Sequence, residues 1–145
     1  MKISTKGRYA LRMLLDLAEH RGEGFISLKE IATRQNISKL YLEQIVALLN
    51  TSNLLRTNRG KHGGYMLARK PSECTVKEIL MITKGSLAPV ACLDADVNLC
   101  DQAGFCKTLI MWTGLKEAIA NYLGGITLQD MLEQYQEMGA NNYVI

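Results

Sequence analysis

The sequence predicts a mainly α-helical chain with one small β-hairpin. Three observations carry that prediction. Apolar residues recur at helical spacing, capping side chains stand just ahead of those segments, and a Gly-rich basic stretch divides two short apolar runs. The 145 residues, 48% hydrophobic and 21% charged, suit one ordinary globular domain, or a small module with a dimerisation arm. No apolar run has the length of a membrane span. Arg12 and Asp16 interrupt the stretch Ala10 to Ala18, which argues against an export signal and for a cytoplasmic protein.

The elements follow in order. Ala10, Met13, Leu14, Leu17 and Ala18 mark a helix over 5–21, capped by Ser4 or Thr5 and ended by Gly22 and Gly24. Ser27 and Glu30 form a capping box that opens a short helix to about Gln35, with Asn36 in the turn. Ser38 caps the next helix, whose inner face is Leu42, Ile45, Val46 and Leu49. Two short runs, Leu54 to Thr57 and Tyr65 to Leu67, flank the loop from Asn58 to Gly64 and predict the hairpin. Thr75 and Glu78 form a second capping box, for a helix to about Thr83 that Gly85 stops. Residues 86–106 read as a loop. A long helix follows over about 107–123, with Trp112, Leu115, Ile119 and Tyr122 on one side. Thr127 starts a last short helix, and the tail from Gly139 reads as loose.

Charge is divided along the chain. Residues 1–70 hold 13 Lys and Arg against 5 Asp and Glu, whereas residues 71–145 hold 4 against 9. A basic half joined to an acidic half points to a polyanion as the partner of the first half. Helix, short helix, turn, helix and basic hairpin is the order of a winged helix-turn-helix. Its second helix fits the major groove of double-stranded DNA. The N-terminal part of that helix offers Ser38, Lys39, Tyr41, Glu43 and Gln44. Glutamine can bond adenine bidentately, and a carboxylate such as Glu43 can accept from cytosine N4. Glu43 is also placed for an i,i+4 pair with Lys39. The wing offers Arg59, Lys61 and His62, with Gly60, Gly63 and Gly64 allowing a close turn and approach to the sugar-phosphate rail. A two-fold dimer of such a module reads a pseudo-palindromic operator. An enzyme is disfavoured: His20 falls at a helix end as a solvated residue and His62 in the wing, and neither has a neighbouring nucleophile or carboxylate pair in sequence.

Cys92, Cys100 and Cys106 are spaced C-x7-C-x5-C within one polar loop. Three thiols so close can converge on one metal centre, and thiolates suit iron–sulfur clusters and zinc. Reduced structural thiols are the alternative. Cys74 stands apart, ahead of an intervening helix, and reads as an ordinary small residue.

The opening Met-Lys-Ile-Ser-Thr-Lys-Gly-Arg-Tyr-Ala, the run Ile37 to Gln44, the wing Arg59 to Tyr65 and the three cysteines ahead of Trp112 resemble the Rrf-two family of bacterial regulators. The resemblance runs from residue 1 to about 135 and is strongest to the branch that regulates iron–sulfur cluster assembly. It implies a homodimer joined through the long helix and a winged-helix DNA reader. It also implies one 2Fe–2S cluster per subunit on Cys92, Cys100 and Cys106. The implied division is a winged helix-turn-helix over 1–85, a cluster-binding loop over 86–106, and the dimerisation helix, short helix and tail over 107–145. The sequence departs from the family pattern at the fourth ligand. Leu109 stands where the best-known members carry a histidine, and Arg8 where a nitric-oxide-sensing branch can use an aspartate. Glu43, Asp94, Asp96, Asp101 or a partner-chain group are the remaining candidates. Two family alternatives stand beside the cluster sensor: a metal-free thiol- or partner-controlled repressor of cysteine metabolism, and a nitric-oxide sensor.

Overall fold

Helix α1 (Thr5–Glu19) is the element on which the others pack. Its buried side chains Ala10, Met13, Leu14, Leu17 and Ala18 follow the predicted spacing and line the main core. The computed structural model describes residues 2–142. After α1 come α2 (Leu28–Gln35), α3 (Lys39–Leu49), β1 (Leu55–Asn58), β2 (Gly64–Leu67), α4 (Val76–Lys84), α5 (Leu109–Gly124) and α6 (Leu128–Asn142). Short 3-10 turns at Pro71–Glu73 and Ala91–Leu93 interrupt the connections before and after α4. The fold is the mainly α winged helix-turn-helix that the sequence predicts.

The caps explain where the helices begin. The hydroxyl oxygens of Ser4, Ser27, Ser38 and Thr75 each accept from the backbone N–H three residues on, satisfying donors that a helix cannot satisfy itself. The two upstream capping boxes close only halfway: Glu30 reaches Arg34 at 3.8 Å, and Glu78 accepts from Arg69 at 2.7 Å. Thr127 and Asp130 make the reciprocal box, with bonds of 3.1 and 2.9 Å. Asn36 takes the left-handed conformation between α2 and α3, which a short amide side chain tolerates.

The hairpin is antiparallel, with Leu55 opposite Leu67 and Asn58 opposite Gly64. A third backbone segment joins it: Ile26 and Tyr65 exchange hydrogen bonds of 2.9 and 2.8 Å. This explains two glycines differently from the sequence reading. A Cβ on Gly64 would lie 2.3 Å from the Ile26 carbonyl oxygen, and one on Gly63 would lie 2.2 Å from that of Asn58. Within the fold both are small because protein backbone passes close over them. Gly60 alone turns the tip, at φ +123°.

Three further expectations are corrected. The last helix is not short: α6 has 15 residues against 16 for α5. It runs through Gly139, where a loose tail was expected, to Asn142; residues 143–145 lie outside the described residues. Its apolar positions explain the length. Leu128 is fully buried in the main core, Leu132 packs against it, and Met131 packs against a smaller cluster of Val76, Leu80 and Leu87. Helix α1 stops at Glu19 rather than near residue 21, and His20, at the helix end as expected and with its side chain 29% exposed, is the C-cap. The His20 imidazole Nδ1 lies 2.8 Å from the Asp16 carbonyl oxygen.

Asp16 is the one buried charged residue among those described. Its carboxylate accepts from Arg34 Nε at 3.0 Å and Nη2 at 2.6 Å, and from Gln35 Nε2 at 3.0 Å. Arg12 in turn donates to the Gln35 carbonyl and lies over the Tyr9 ring at 5.3 Å. These bonds fix the end of α2 against α1. Burial pushes the Asp16 carboxyl up, but the Arg34 and Gln35 bonds and the Arg34 charge outweigh it and hold the group below its ordinary value. A depressed folded-state value stabilises the fold above the unfolded pKa of about 3.9, and that contribution is lost as pH falls through the folded value. The Asp16→Asn variant is therefore expected to be less stable than wild type at pH 7, by about 1–3 kcal/mol. Its deficit should shrink as pH falls below about 4. Urea unfolding across pH 3–7 checks this, and a deficit that does not depend on pH would refute the ionic account.

Candidate nucleic-acid interface and thiol loop

Helices α2 and α3 and the hairpin set out the predicted contact residues. On α3 the inner face is the expected set, Leu42, Ile45, Val46 and Leu49. Ser38 and Lys39 are exposed at the start of the helix, and Glu43 and Gln44 are exposed away from the inner face. The Ser38 oxygen accepts from the Tyr41 N–H at 3.1 Å, which leaves its own proton to donate outward. Tyr41 behaves differently from these: it is half-buried, and its ring meets Tyr9 edge-on at 5.4 Å. The expected Lys39–Glu43 pair is not made. Among the described residues the Glu43 carboxylate has no ion-pair or hydrogen-bond partner within the chain. The carboxylate faces solvent from the helix that carries Gln44.

Arg59, Lys61 and His62 are all exposed at the hairpin tip. The Gly63 N–H donates to the Gly60 carbonyl at 3.0 Å and closes the tip between them. Thr57 of β1 lies 3.5 Å from the Asn50 side-chain oxygen at the end of α3, so the wing is tied to the helix it follows. Sequence reasoning passed over Leu40, Ala47 and Arg56, which are also exposed on α3 and β1. The signal for Leu40 and Ala47 was present: they lie at i−3 and i+4 from Glu43, on the same helix face.

The cysteines divide as expected in one respect. Cys74 is buried in the main core, and that burial pushes its thiol up in pKa. Cys92 is half-buried, while Cys100 and Cys106 are exposed. Cys92 and Cys100 line one open hollow of about 310 Å³ together with Asp94, whose carboxylate accepts from the Ser86 hydroxyl at 2.8 Å. Cys106 is not part of that lining. Its sulfur lies 3.3 Å from the Thr108 hydroxyl, which holds the thiol below its ordinary pKa. Among the described residues no three His, Cys, Asp or Glu side chains stand as a group that could hold a metal ion. The donor chemistry suits a soft, thiophilic centre, but the three sulfurs are not gathered. Leu109 is the first residue of α5 and half-buried. Lys116 of α5 donates to the Leu93 carbonyl at 2.9 Å, joining the turn that carries Cys92 to that helix.

Helix α5 has no buried residue. Ile110, Met111, Leu115 and Tyr122 are exposed along it, a large apolar face for one helix. Among the described residues no helix is long and apolar enough to cross a membrane.

A family of transcriptional regulators, Rrf2, described as iron-dependent transcriptional regulators, matches residues 3–134. The chain belongs to the Rrf2 family. The Rrf2 members it resembles include the HTH-type transcriptional regulator CymR of Bacillus subtilis. That protein is 38% identical over 131 residues, covering 90% of this chain and 89% of CymR. The solved structure of T. potens IscR superposes with a TM-score of 0.75 at 38% identity, over 95% of this chain and 90% of that one. The structure of CymR, the global cysteine regulator of B. subtilis, superposes with a TM-score of 0.76 at 35% identity, over 92% and 98%. These Rrf2 relatives are transcriptional regulators and not enzymes. Membership makes this chain a transcriptional regulator of a DNA-binding family whose members include both CymR and IscR.

Exposure sets the order in which the thiols react. Alkylation of the folded protein is expected to modify Cys100 and Cys106 first, Cys92 more slowly, and Cys74 only on unfolding. Peptide mapping after timed alkylation checks this order; early labelling of Cys74 would contradict the placement of that residue in the core.

Proposed function

We propose that this Rrf2-family regulator binds a pseudo-palindromic operator in double-stranded DNA as a homodimer, under the control of one 2Fe–2S cluster per subunit. Cys92, Cys100 and Cys106 would hold the cluster, and the regulated genes would be those of iron–sulfur cluster biogenesis. The winged unit of residues 1–85 reads DNA, the loop 86–106 senses, and residues 107–145 join the subunits through α5. The observation that carries this reading is the pairing of two features in one chain. An exposed polar face of α3 and a basic wing are built on a firm core, while three thiols stand outside that core on a loop tied to α5.

The contacts divide by chemistry. Ser38 and Lys39 meet phosphate or base edges near the start of α3, where the helix N-terminus also favours an anion. Tyr41 supports α3 from its half-buried position, and its hydroxyl is of the type that bonds a phosphate. Gln44 pairs with adenine, and Glu43 accepts from cytosine N4 while repelling misplaced phosphate. Lys61 and His62 follow the backbone beside Arg59, which enters the minor groove. The exposed face of α5 receives the same face of a second subunit about a two-fold axis. The cluster, when bound, supplies a labile, redox-sensitive tie among the three thiols. Lys116 holds the Leu93 carbonyl and so joins the loop to α5, where a change in the order of the loop would be felt. Control of this kind would be a coupling free energy, so operator DNA would change cluster retention by the same factor as the cluster changes operator binding.

A second reading, the metal-free thiol- or partner-controlled repressor of cysteine metabolism, is favoured by one observation: the three sulfurs are not gathered as ligands. Anaerobic purification and an absorption spectrum separate the two. Wild type is expected to show iron–sulfur charge-transfer bands that Cys92→Ala, Cys100→Ala and Cys106→Ala each lose. A colourless protein after reconstitution would leave the second reading standing. For the wing, Arg59→Ala is expected to weaken binding most, by about tenfold, at sites with narrow A·T-rich minor grooves. An equal loss on all sequences in a binding titration would instead make Arg59 a phosphate contact.

A further inference from the structure

The outward face of α3 carries a side chain that the contacts above leave unused. Leu40 is 68% exposed in the first turn of the helix and belongs to neither apolar cluster. A single exposed leucine is ordinary on a protein surface. The setting of this one is not, because residues at i, i+3, i+4 and i+7 share a helix face. Here that face reads Leu40, Glu43, Gln44 and Ala47, all of them exposed. The two polar members are of the types that read base edges, and the two apolar members bracket them along the helix.

The major groove offers one apolar feature, the C5-methyl group of thymine, and aliphatic side chains meet it by contact. Leucine at this position has no hydrogen bond to give. Against any other base edge it would cover donors or acceptors without replacing their water, at a cost. Leu40 and Gln44 are four residues apart, a rise of about 6 Å along the helix, against a base-pair rise of about 3.4 Å. Side chains so spaced reach base pairs one or two steps apart. Glutamine suits adenine, so both residues favour A·T pairs in the same short stretch.

We propose that Leu40 is a specificity-determining residue that packs on the C5-methyl of a thymine in each half-site, one or two base pairs from the adenine bonded by Gln44. This rests on the reading of α3 as the groove-entering helix, and the test separates the two. A preferred duplex is first selected from a random pool with the full-length wild-type protein. Deoxyuridine, which lacks only the methyl group, then replaces each thymine in turn at symmetric positions of both half-sites. Affinities are measured by fluorescence anisotropy for wild type, Leu40→Ala and Gln44→Ala, with far-UV circular dichroism confirming that each variant is folded. One symmetric replacement should weaken wild type by about fourfold for each half-site, the effect of one buried methyl group, and change Leu40→Ala by less than about twofold. If no replacement separates wild type from Leu40→Ala while Gln44→Ala still loses affinity, α3 reads the groove and the Leu40 assignment is overturned. If neither substitution alters binding to the selected duplex, the groove reading of α3 fails and takes the assignment with it.

Discussion

Burial of one face of α1 is the constraint from which the rest of this molecule follows. Met13, Leu14 and Leu17 sit at the centre of the main core, and α2, α3, α4, α6 and β2 all pack against the same helix. Each fully buried side chain of this kind is worth about 1.5–3 kcal/mol, so the face as a whole outweighs any single polar contact in the chain. The orientation of α3 is inherited from this packing, and so is that of the hairpin. The polar cluster of Asp16, Arg34 and Gln35 adds direction to an attraction that has none, fixing where α2 ends relative to α1.

The two parts of the chain differ in how completely their folding satisfies them. The helices up to α4 bury their apolar faces within the chain, and α6 adds Leu128 to the same core. Helix α5 does not: its mean character is apolar, yet every side chain keeps solvent contact. The cysteine loop leads directly into that helix, and its 3-10 turn is held to it by the Lys116–Leu93 bond. The place where redox chemistry is available and the place where apolar surface remains uncovered are therefore contiguous in sequence and joined in space.

Much of the fold was legible because local chemistry set it. Five capping side chains, from Ser4 to Thr127, each stood at the start of a helix, and Asn36 and Gly85 marked the ends of α2 and α4. What escaped was decided by tertiary contact. Gly139 reads as a breaker, but α6 continues past it because Leu128 and Leu132 anchor the helix on α1. Gly63 and Gly64 read as residues for a tight turn and close approach to a sugar-phosphate rail, and the close contacts they make within the fold, to the Asn58 and Ile26 backbone, carry no sequence signal. The candidate site was legible as a set of residue types and exposures. Its pairings were not: Glu43 does not bond Lys39, and Cys106 lies outside the hollow shared by Cys92 and Cys100. The separation of the cysteines depends on how a loop without regular structure is laid down, which spacing alone does not determine; that of Lys39 and Glu43 depends on the rotamers of two solvated side chains.

The strand-like exchange between Ile26 and Tyr65 braces the hairpin close to its free end. A lone two-stranded ribbon is marginal in water, but here a third segment of backbone meets β2 at the Thr57–Tyr65 pair, one residue from Gly64. The overhang beyond that brace is therefore only the short loop that carries Arg59, Lys61 and His62. A short overhang passes on a displacement of its support without enlarging it. The reach of Arg59 is set by its own side chain, and the platform beneath it moves with the core.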